Sequence, residues 1–259
     1  MTASTPARAA LAGNPSDLYG GAVLAVPVPQ LEATVALTDA AGVDPSNELV
    51  TAVLSRVDST KGARWSTTIP RSVGLAGSSA LIIATLRAAG VDLVPLALAQ
   101  LALSIERDDL GIVAGLQDRA TQAFAAPVLV EDNAVRVVTP AHPMSFVIAW
   151  QPDATGDSGE YHRRVVVDHG AMEELGVIAR EAAGAFERGD ADAVAALMDA
   201  SAQTRKRAAP LSTAHEQLAD AARRAGFRPN SAGSGGAIVA VAEGDPARIG
   251  ADYVIETFG

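Results

Sequence analysis

The chain of 259 residues contains no cysteine. That excludes disulfide frameworks, thiolate nucleophiles and cysteine-ligated zinc. Its four histidines, His142, His162, His169 and His215, show no metal-ligand spacing. Long apolar runs are missing too: the longest, such as Leu93 to Ile105, are too short and too interrupted for a membrane span. Met1 to Ala7 is small and polar and does not read as a secretory signal, so a cytoplasmic protein is expected. Basic residues are in the minority, with 20 Lys and Arg against 30 Asp and Glu and a net charge of -10. Nucleic-acid affinity rests on a basic surface, so nucleic acid is not an expected partner, although a local basic cluster can still hold a small anion. Aromatics are few at 4%, while 49% of the chain is hydrophobic and dominated by Ala and Val. Small-residue helices and β-branched strands suit a mixed α and β enzyme with one large or two small domains.

Patterning along the chain predicts strands at Gly20 to Val28 and Leu31 to Leu37, then a surface connection from Thr38 to Asn47. Leu49 to Val57 reads as either strand or helix. Helices are expected over Ser79 to Ala89, Pro95 to Arg107 and Leu116 to Phe124, followed by a hairpin-like pair from Pro127 to Val138. Thr139 to Pro143 is the candidate boundary, separating an N-terminal ATP-binding domain, 1–141, from a C-terminal substrate and closing domain, 142–259. Beyond it, Ser145 to Trp150 reads as a buried strand. Helices at Ala171 to Arg188, Ala191 to Arg207 and Ala214 to Ala225 follow, then strands at Gly236 to Ala242 and Asp252 to Phe258. Thr213 with Glu216 reads as a capping box and Gly226 as a C-cap. The uneven grouping of helices and strands favours an α+β fold.

Three segments carry chemistry. In Gly74-Leu75-Ala76-Gly77-Ser78-Ser79-Ala80 glycines let the backbone bend around an anion, and the following helix offers unpaired N–H groups. Ser78 and Ser79 add hydroxyls for phosphate or magnesium. A glycine-rich turn with a serine cap would look the same, and without a Gly-Lys-Ser/Thr ending it is not a P-loop. Nor is it a Gly-x-Ser-x-Gly nucleophile elbow, which argues against a serine hydrolase. Gly115-Leu116-Gln117-Asp118-Arg119, with Glu106 twelve residues before Asp118, supplies the two carboxylates that phosphoryl transfer needs; singly, each also reads as a helix cap or a solvated charge. Gly233-Ser234-Gly235-Gly236, before a buried strand, reads equally as tight packing or as backbone approaching a ligand.

Taken in order with Pro6-Ala7-Arg8-Ala9-Ala10-Leu11-Ala12-Gly13-Asn14-Pro15-Ser16-Asp17, these segments resemble the motifs of the GHMP kinases. The best match within that superfamily is its glucuronokinase-like branch, through residues 11–17, 74–80, 111–119 and 233–237 and through Ser158-Gly159-Glu160-Tyr161-His162. The resemblance implies two α+β domains with the active site in the cleft between them, and ATP and Mg²⁺ as cofactors. It implies that Gly74, Leu75, Ala76, Gly77, Ser78, Ser79 and Ala80 bind the phosphates and that Ser79 and Glu106 hold the magnesium. Asp118 would face the acceptor hydroxyl, Arg8 would neutralise the transferred phosphoryl group, and Asn14 and Asp17 would meet substrate hydroxyls. Gly233, Ser234, Gly235 and Gly236 would close over substrate and phosphate.

The chain departs from the pattern by being short between Leu37 and Trp65, and by having Asn230-Ser231-Ala232 before the third motif. The implied reaction is phosphorylation of a sugar or uronic-acid hydroxyl, with the anomeric position favoured. A uronate carboxylate calls for a cation, and Arg163, Arg164 and the run Arg205-Lys206-Arg207 are the candidates. Two other readings stay open at this point: a kinase for a non-sugar hydroxyl acid such as mevalonate, and a nucleotide-binding relative without turnover.

Overall fold

The computed structural model describes residues 1–151, 168–208 and 210–258. The segment Ser158 to His162 and the pair Arg163 and Arg164 lie outside the described residues. The first strand, β1 (Thr2–Ala12), pairs antiparallel with β2 (Ala22–Thr38). Sequence patterning misses β1 because it is rich in Ala and contains Pro, both poor strand formers. Ala7 and Ala9 to Ala12 are nevertheless fully buried, and their small side chains let neighbouring elements approach both faces. β2 is one strand of 17 residues where two were expected. Its first part pairs with β5 (Val128–Glu131) and its last with β4 (Gly62–Thr67), so the prolines at 27 and 29 interrupt no ladder on that side. β3 (Val43–Asp44) and β6 (Ala134–Val137) complete a six-stranded sheet of order β3-β4-β2-β5-β6, with β1 on β2. β3 and β4 also replace part of the expected surface connection.

Leu49 to Val57 resolves as helix α1 (Glu48–Arg56), started by Asn47, whose side chain accepts from the amides of Leu49 and Val50. Helix α2 (Gly77–Ala88) is apolar nearly all round and sits inside the domain between the sheet, α1 and the helices that follow. The expected helix from Pro95 to Arg107 is α3 (Pro95–Ser104) followed by a widened π turn, Ile105–Asp109. That turn rotates Glu106 inward to full burial, while Arg107 to Asp109 stay exposed. α4 (Gln117–Phe124) then carries the second acidic motif.

The remaining strands form a separate antiparallel sheet of order β10-β7-β9-β8: β7 (Ser145–Trp150), β8 (Asn230–Ser231), β9 (Ala237–Val241) and β10 (Tyr253–Phe258). Its helices are α5 (His169–Glu187), α6 (Ala191–Ala208) and α7 (Thr213–Arg224). The cap of α7 is Ser212, which accepts from His215 N–H, and not Thr213. The proposed division at 141/142 falls between β6 and β7, the last strand of one sheet and the first of the other. One apolar core is continuous across both halves, joining Leu24 and Val26 to Phe146, Ile148 and Phe186. Among the described residues, no helix is long and apolar enough to cross a membrane.

Candidate active site

Three backbone hydrogen bonds gather the motifs around one point. Arg8 N–H donates to the Leu75 carbonyl at 3.3 Å, Ala10 N–H to Ala232 at 2.9 Å, and Ala237 N–H to Val73 at 2.8 Å. The contact is backbone on backbone, which is why the loops need glycine. A Cβ on Gly233 would sit 2.0 Å from the Gly74 carbonyl oxygen, and one on Gly74, whose φ is +78°, would sit 2.7 Å from the Gly235 oxygen. Most of the third motif therefore serves to pack against the second. Gly233, Gly235 and Gly236 do not reach the cavity these loops border, and Ser234 alone of that motif lines it.

The cavity has a volume of about 680 Å³. Its floor is the turn Gly74 to Ser78, where α2 begins. Ala76 precedes the helix in a left-handed conformation and no side chain caps it, so the first amides point into the cavity. The Ala76 carbonyl is held by Gln122 Nε2 at 2.9 Å, which also donates to the Pro6 carbonyl at 3.1 Å and ties α4 to β1. Ser78 is exposed on the cavity wall. Ser79, expected at the metal, is fully buried with its hydroxyl donating to Ala76 O at 3.2 Å, and Ala80 lies buried behind it. Successive helical residues diverge by about 100°, so one of two adjacent serines faces the cavity and the other the core.

One end of the cavity is charged. Arg8, buried on β1, donates to Asp118 through Nε and Nη2, to the Ala232 carbonyl, and to the Gly74 carbonyl at 3.3 Å. Arg119, buried on α4, donates to Asp118 Oδ2 at 3.1 Å, to the Gly115 carbonyl at 2.8 Å, and through Nε and Nη2 to Glu106. Burial by itself would lower the Arg119 pKa, but the carboxylates of Glu106, Asp118 and Asp17 outweigh it and hold the guanidinium charged. Burial raises the pKa of Glu106, against the opposing pull of Arg119. One oxygen of Glu106, Oε1, has no hydrogen-bond partner among the described residues, although the nearby Ser78 hydroxyl favours its charged form. Asp17 sits on the same wall and accepts from Gln117 N–H at 3.3 Å. Burial and the Asp118 charge push its carboxyl up to about 6, against the backbone bond and the two arginines. Asn14 lines this end as well.

The other end is more apolar, lined by Leu49, Trp65, Ile69 and the cap residue Asn47. Strand register places Trp65 opposite Val35 and Val35 opposite Ala3. Arg8 lies five residues further along β1, about 16 Å at strand rise. Trp65 is held by its indole N–H donating to the Pro45 carbonyl at 2.6 Å.

Asp118, Arg8, Asn14, Asp17, Ser234 and the loop from Gly74 to Ser78 thus share one cavity wall. Glu106 lies just behind it, reached through Ser78 and Arg119. The run Arg205-Lys206-Arg207 is placed elsewhere. Arg205 is buried and donates to the Gly233 carbonyl at 2.6 Å, Lys206 pairs with Glu216, and Arg207 pairs with Glu174. Sequence reasoning gave no role to Arg119 or Trp65. The signals were faint: an arginine directly after an acidic residue, and one of two tryptophans in an aromatic-poor chain.

Comparison with known proteins bears on the family and the fold. Residues 47–126 match the description "GHMP kinases N terminal domain" and residues 182–258 match "GHMP kinases C terminal". The chain is 28% identical to Glucuronokinase 1 of Arabidopsis thaliana, an alignment covering 71% of this chain and 58% of that protein. It therefore spans little more than half the length of the curated relatives it matches. The structure of Streptococcus pneumoniae phosphomevalonate kinase, in complex with phosphomevalonate and AMPPNP, superposes with a TM-score of 0.81, covering 99% of this chain and 100% of that one at 15% identity. Lactococcus lactis galactokinase complexed with galactose gives 0.74, covering 99% and 92%, also at 15% identity. With both family descriptions matched in order over more than half its length, and a fold shared end to end with such kinases, the chain belongs to the GHMP kinase superfamily.

Proposed function

We propose that this protein transfers the γ-phosphoryl group of ATP to a hydroxyl of a sugar or uronic acid, with the anomeric hydroxyl favoured and a sugar 1-phosphate as product. The observation that carries the reading is the joining of an open helix N-terminus and an arginine-bound carboxylate, Asp118, on the wall of one cavity. The amides at Gly77 and Ser78 suit the triphosphate, and Trp65 with Leu49 and Ile69 suits the base. Asp118 orients the acceptor, and Arg8 offsets charge on the transferred group.

Magnesium fits beside Glu106 and Ser78. A buried carboxylate oxygen without a partner next to an exposed hydroxyl is a donor set that a hard cation completes. When bound there, the ion would neutralise charge along the phosphates.

The acceptor wall favours a polyhydroxy substrate over mevalonate. Asn14, Asp17, Gln117 and Ser234 line it, and Gln117 Oε1 is buried without a partner among the described residues. Unpaired acceptors of this kind discriminate in favour of substrates that bring donors. Of the wall's cations, Arg8 and Arg119 are committed to Asp118 and Glu106. Exposed Arg71 is then available to the triphosphate or to an acceptor carboxylate. A cytoplasmic setting, where ATP and free sugars meet, belongs to the same reading.

The test is ADP release by the purified protein with ATP and Mg²⁺ over glucuronate, galactose, arabinose and mevalonate. Phosphorus NMR of the product would locate the phosphate. Turnover with a sugar or uronate is expected; background rates with all of them would end the kinase reading, and turnover with mevalonate alone would shift the acceptor.

A further inference from the structure

The residue that starts α2 is held from outside its own helix. Ala76 has φ +59° and ψ +43°, a left-handed conformation that costs any residue with a Cβ. Its carbonyl oxygen accepts three hydrogen bonds: from Ala80 N–H at 3.1 Å, from the Ser79 hydroxyl at 3.2 Å and from Gln122 Nε2 at 2.9 Å. The first two come from α2 itself, and the third ties the turn to α4. The Ala76–Gly77 peptide is trans, so the Gly77 N–H points opposite to the Ala76 carbonyl. Fixing that oxygen therefore aims the first free amide of α2 into the cavity.

Gln122 is fully buried and does not line the cavity. Its Nε2 also donates to the Pro6 carbonyl at 3.1 Å, two residues before Arg8 on β1. Its Oε1 is buried with no partner among the described residues. Reversing the amide would set that oxygen against two carbonyl oxygens, so one orientation alone fits. A buried amide with an idle acceptor contributes little net stability, since the desolvation of that oxygen offsets its two hydrogen bonds. Two donors aimed at two loop carbonyls suit placement better than stability. The same helix carries Asp118 four residues earlier, one turn or about 6 Å along the axis.

We infer that Gln122 is a positioning residue that sets the phosphate-binding amides of α2 and the strand of Arg8 in register with Asp118. One side chain joins three elements of the site: α4, β1 and the turn before Gly77. The separation between the acceptor-facing carboxylate and the first phosphate amide is then fixed by a single helical turn and one amide group. This rests on the kinase reading and deepens it. Gln122 touches no substrate and acts through the Ala76–Gly77 peptide and the Pro6 carbonyl.

Arg87 supplies the control. It lies near the far end of α2, away from the cavity, and donates to the Ala123 carbonyl at 3.0 Å, the Gln122 carbonyl at 3.4 Å and the Thr5 hydroxyl at 3.2 Å. Arg87→Met loosens the same helices and strand without removing the Gln122 side-chain amide. The experiment compares the unaltered protein, Gln122→Met and Arg87→Met. Calorimetry reads binding of ATP and of inorganic tripolyphosphate, each with Mg²⁺, and steady-state kinetics read kcat and KM with the best acceptor. Gln122→Met should weaken both ligands about tenfold and lower kcat/KM for ATP about 10²-fold. Arg87→Met should stay within about threefold in binding, whatever it loses in melting temperature. In the unaltered protein, NMR should show the Gly77 and Ser78 amides shifting on ATP addition. The Gln122 side-chain NH₂ should resist hydrogen exchange with and without ATP, a readout that needs no variant to fold. The inference is overturned if Gln122→Met binds ATP as the unaltered protein does, or if Arg87→Met weakens binding equally. A Gln122 NH₂ that exchanges freely with solvent overturns it as well. Those outcomes leave the kinase reading standing, whereas an unaltered protein that neither binds ATP nor releases ADP with any acceptor would remove both.

Discussion

At one end of the cavity two buried arginines and two carboxylates, Asp118 and Glu106, are locked to one another, while at the other a tryptophan, a leucine and an isoleucine leave open apolar surface. The charged end is costly to assemble, because each buried ion must be paired, and in return its geometry is rigid. The apolar end involves few directional bonds and tolerates change. Chemistry that demands placement within a fraction of an ångström belongs at the first, and binding that needs only contact area belongs at the second. The two halves of the chain contribute unequally as well. The first sheet and its helices supply nearly all of the wall, and the second half adds Ser234 and the glycine turn that backs the loop from Gly74 to Ser78.

The contrast can be broken most sharply at Arg119. Arg119→Gln leaves Glu106 buried without its counter-charge, and we expect a loss of about 3–5 kcal/mol in unfolding free energy by urea denaturation. A change below about 1 kcal/mol would mean that the charged end is not rigidly coupled. Gly74→Ala attacks the seam between the ends. Its φ of +78° and the 2.7 Å approach to Gly235 O should together cost about 2–3 kcal/mol and raise KM for ATP.

Asp17→Asn should do the reverse and stabilise the protein. The folded-state pKa of Asp17 is raised from 3.8 to about 6, so the folded form binds the proton more tightly than the unfolded one. Native stability therefore falls as pH rises through that window, and the penalty is complete above it. Removing the charge should gain about 1–3 kcal/mol well above pH 6 and nothing below the unfolded value, as read from melting curves at several pH values. A gain independent of pH would place its origin elsewhere. The smallest effect is expected at the apolar end. Trp65→Ala should raise KM for ATP about tenfold, for about 1–2 kcal/mol of lost stacking, with kcat unchanged.

The helices from α2 onward, the β5–β6 hairpin and three strands of the second sheet, β7, β9 and β10, were readable from periodicity and caps, while the two-residue β8 was not, and the order of glycine and acidic motifs was readable from spacing. β1 was not, because a strand of alanines is stable only where small side chains let a helix and two loops approach. β4 was hidden for a similar reason: Gly62 to Thr67 gains its register from β2 and not from its own residues. Within the site, the loop from Gly74 to Ser78 and separate roles for Arg8 and Asp118 were expectations of the motif resemblance, whereas the pairing of those two and the split between Ser78 and Ser79 waited on the fold.

By itself, then, the sequence determined which chemical groups this protein has and their order: a glycine turn at a helix start, two acidic residues twelve apart, a second glycine turn before a strand. Those are local properties, written in backbone freedom and side-chain type. What the tertiary structure alone decided is which charges neutralise which. Arg8 meets Asp118 across 110 residues and Arg205 meets Gly233 across 28, so one arginine enters the site and the other braces the loop behind it. It also decided that Asp118 is saturated and Asp17 is not. Desolvation and charge pairing depend on distances through space, and a linear chain does not carry those distances.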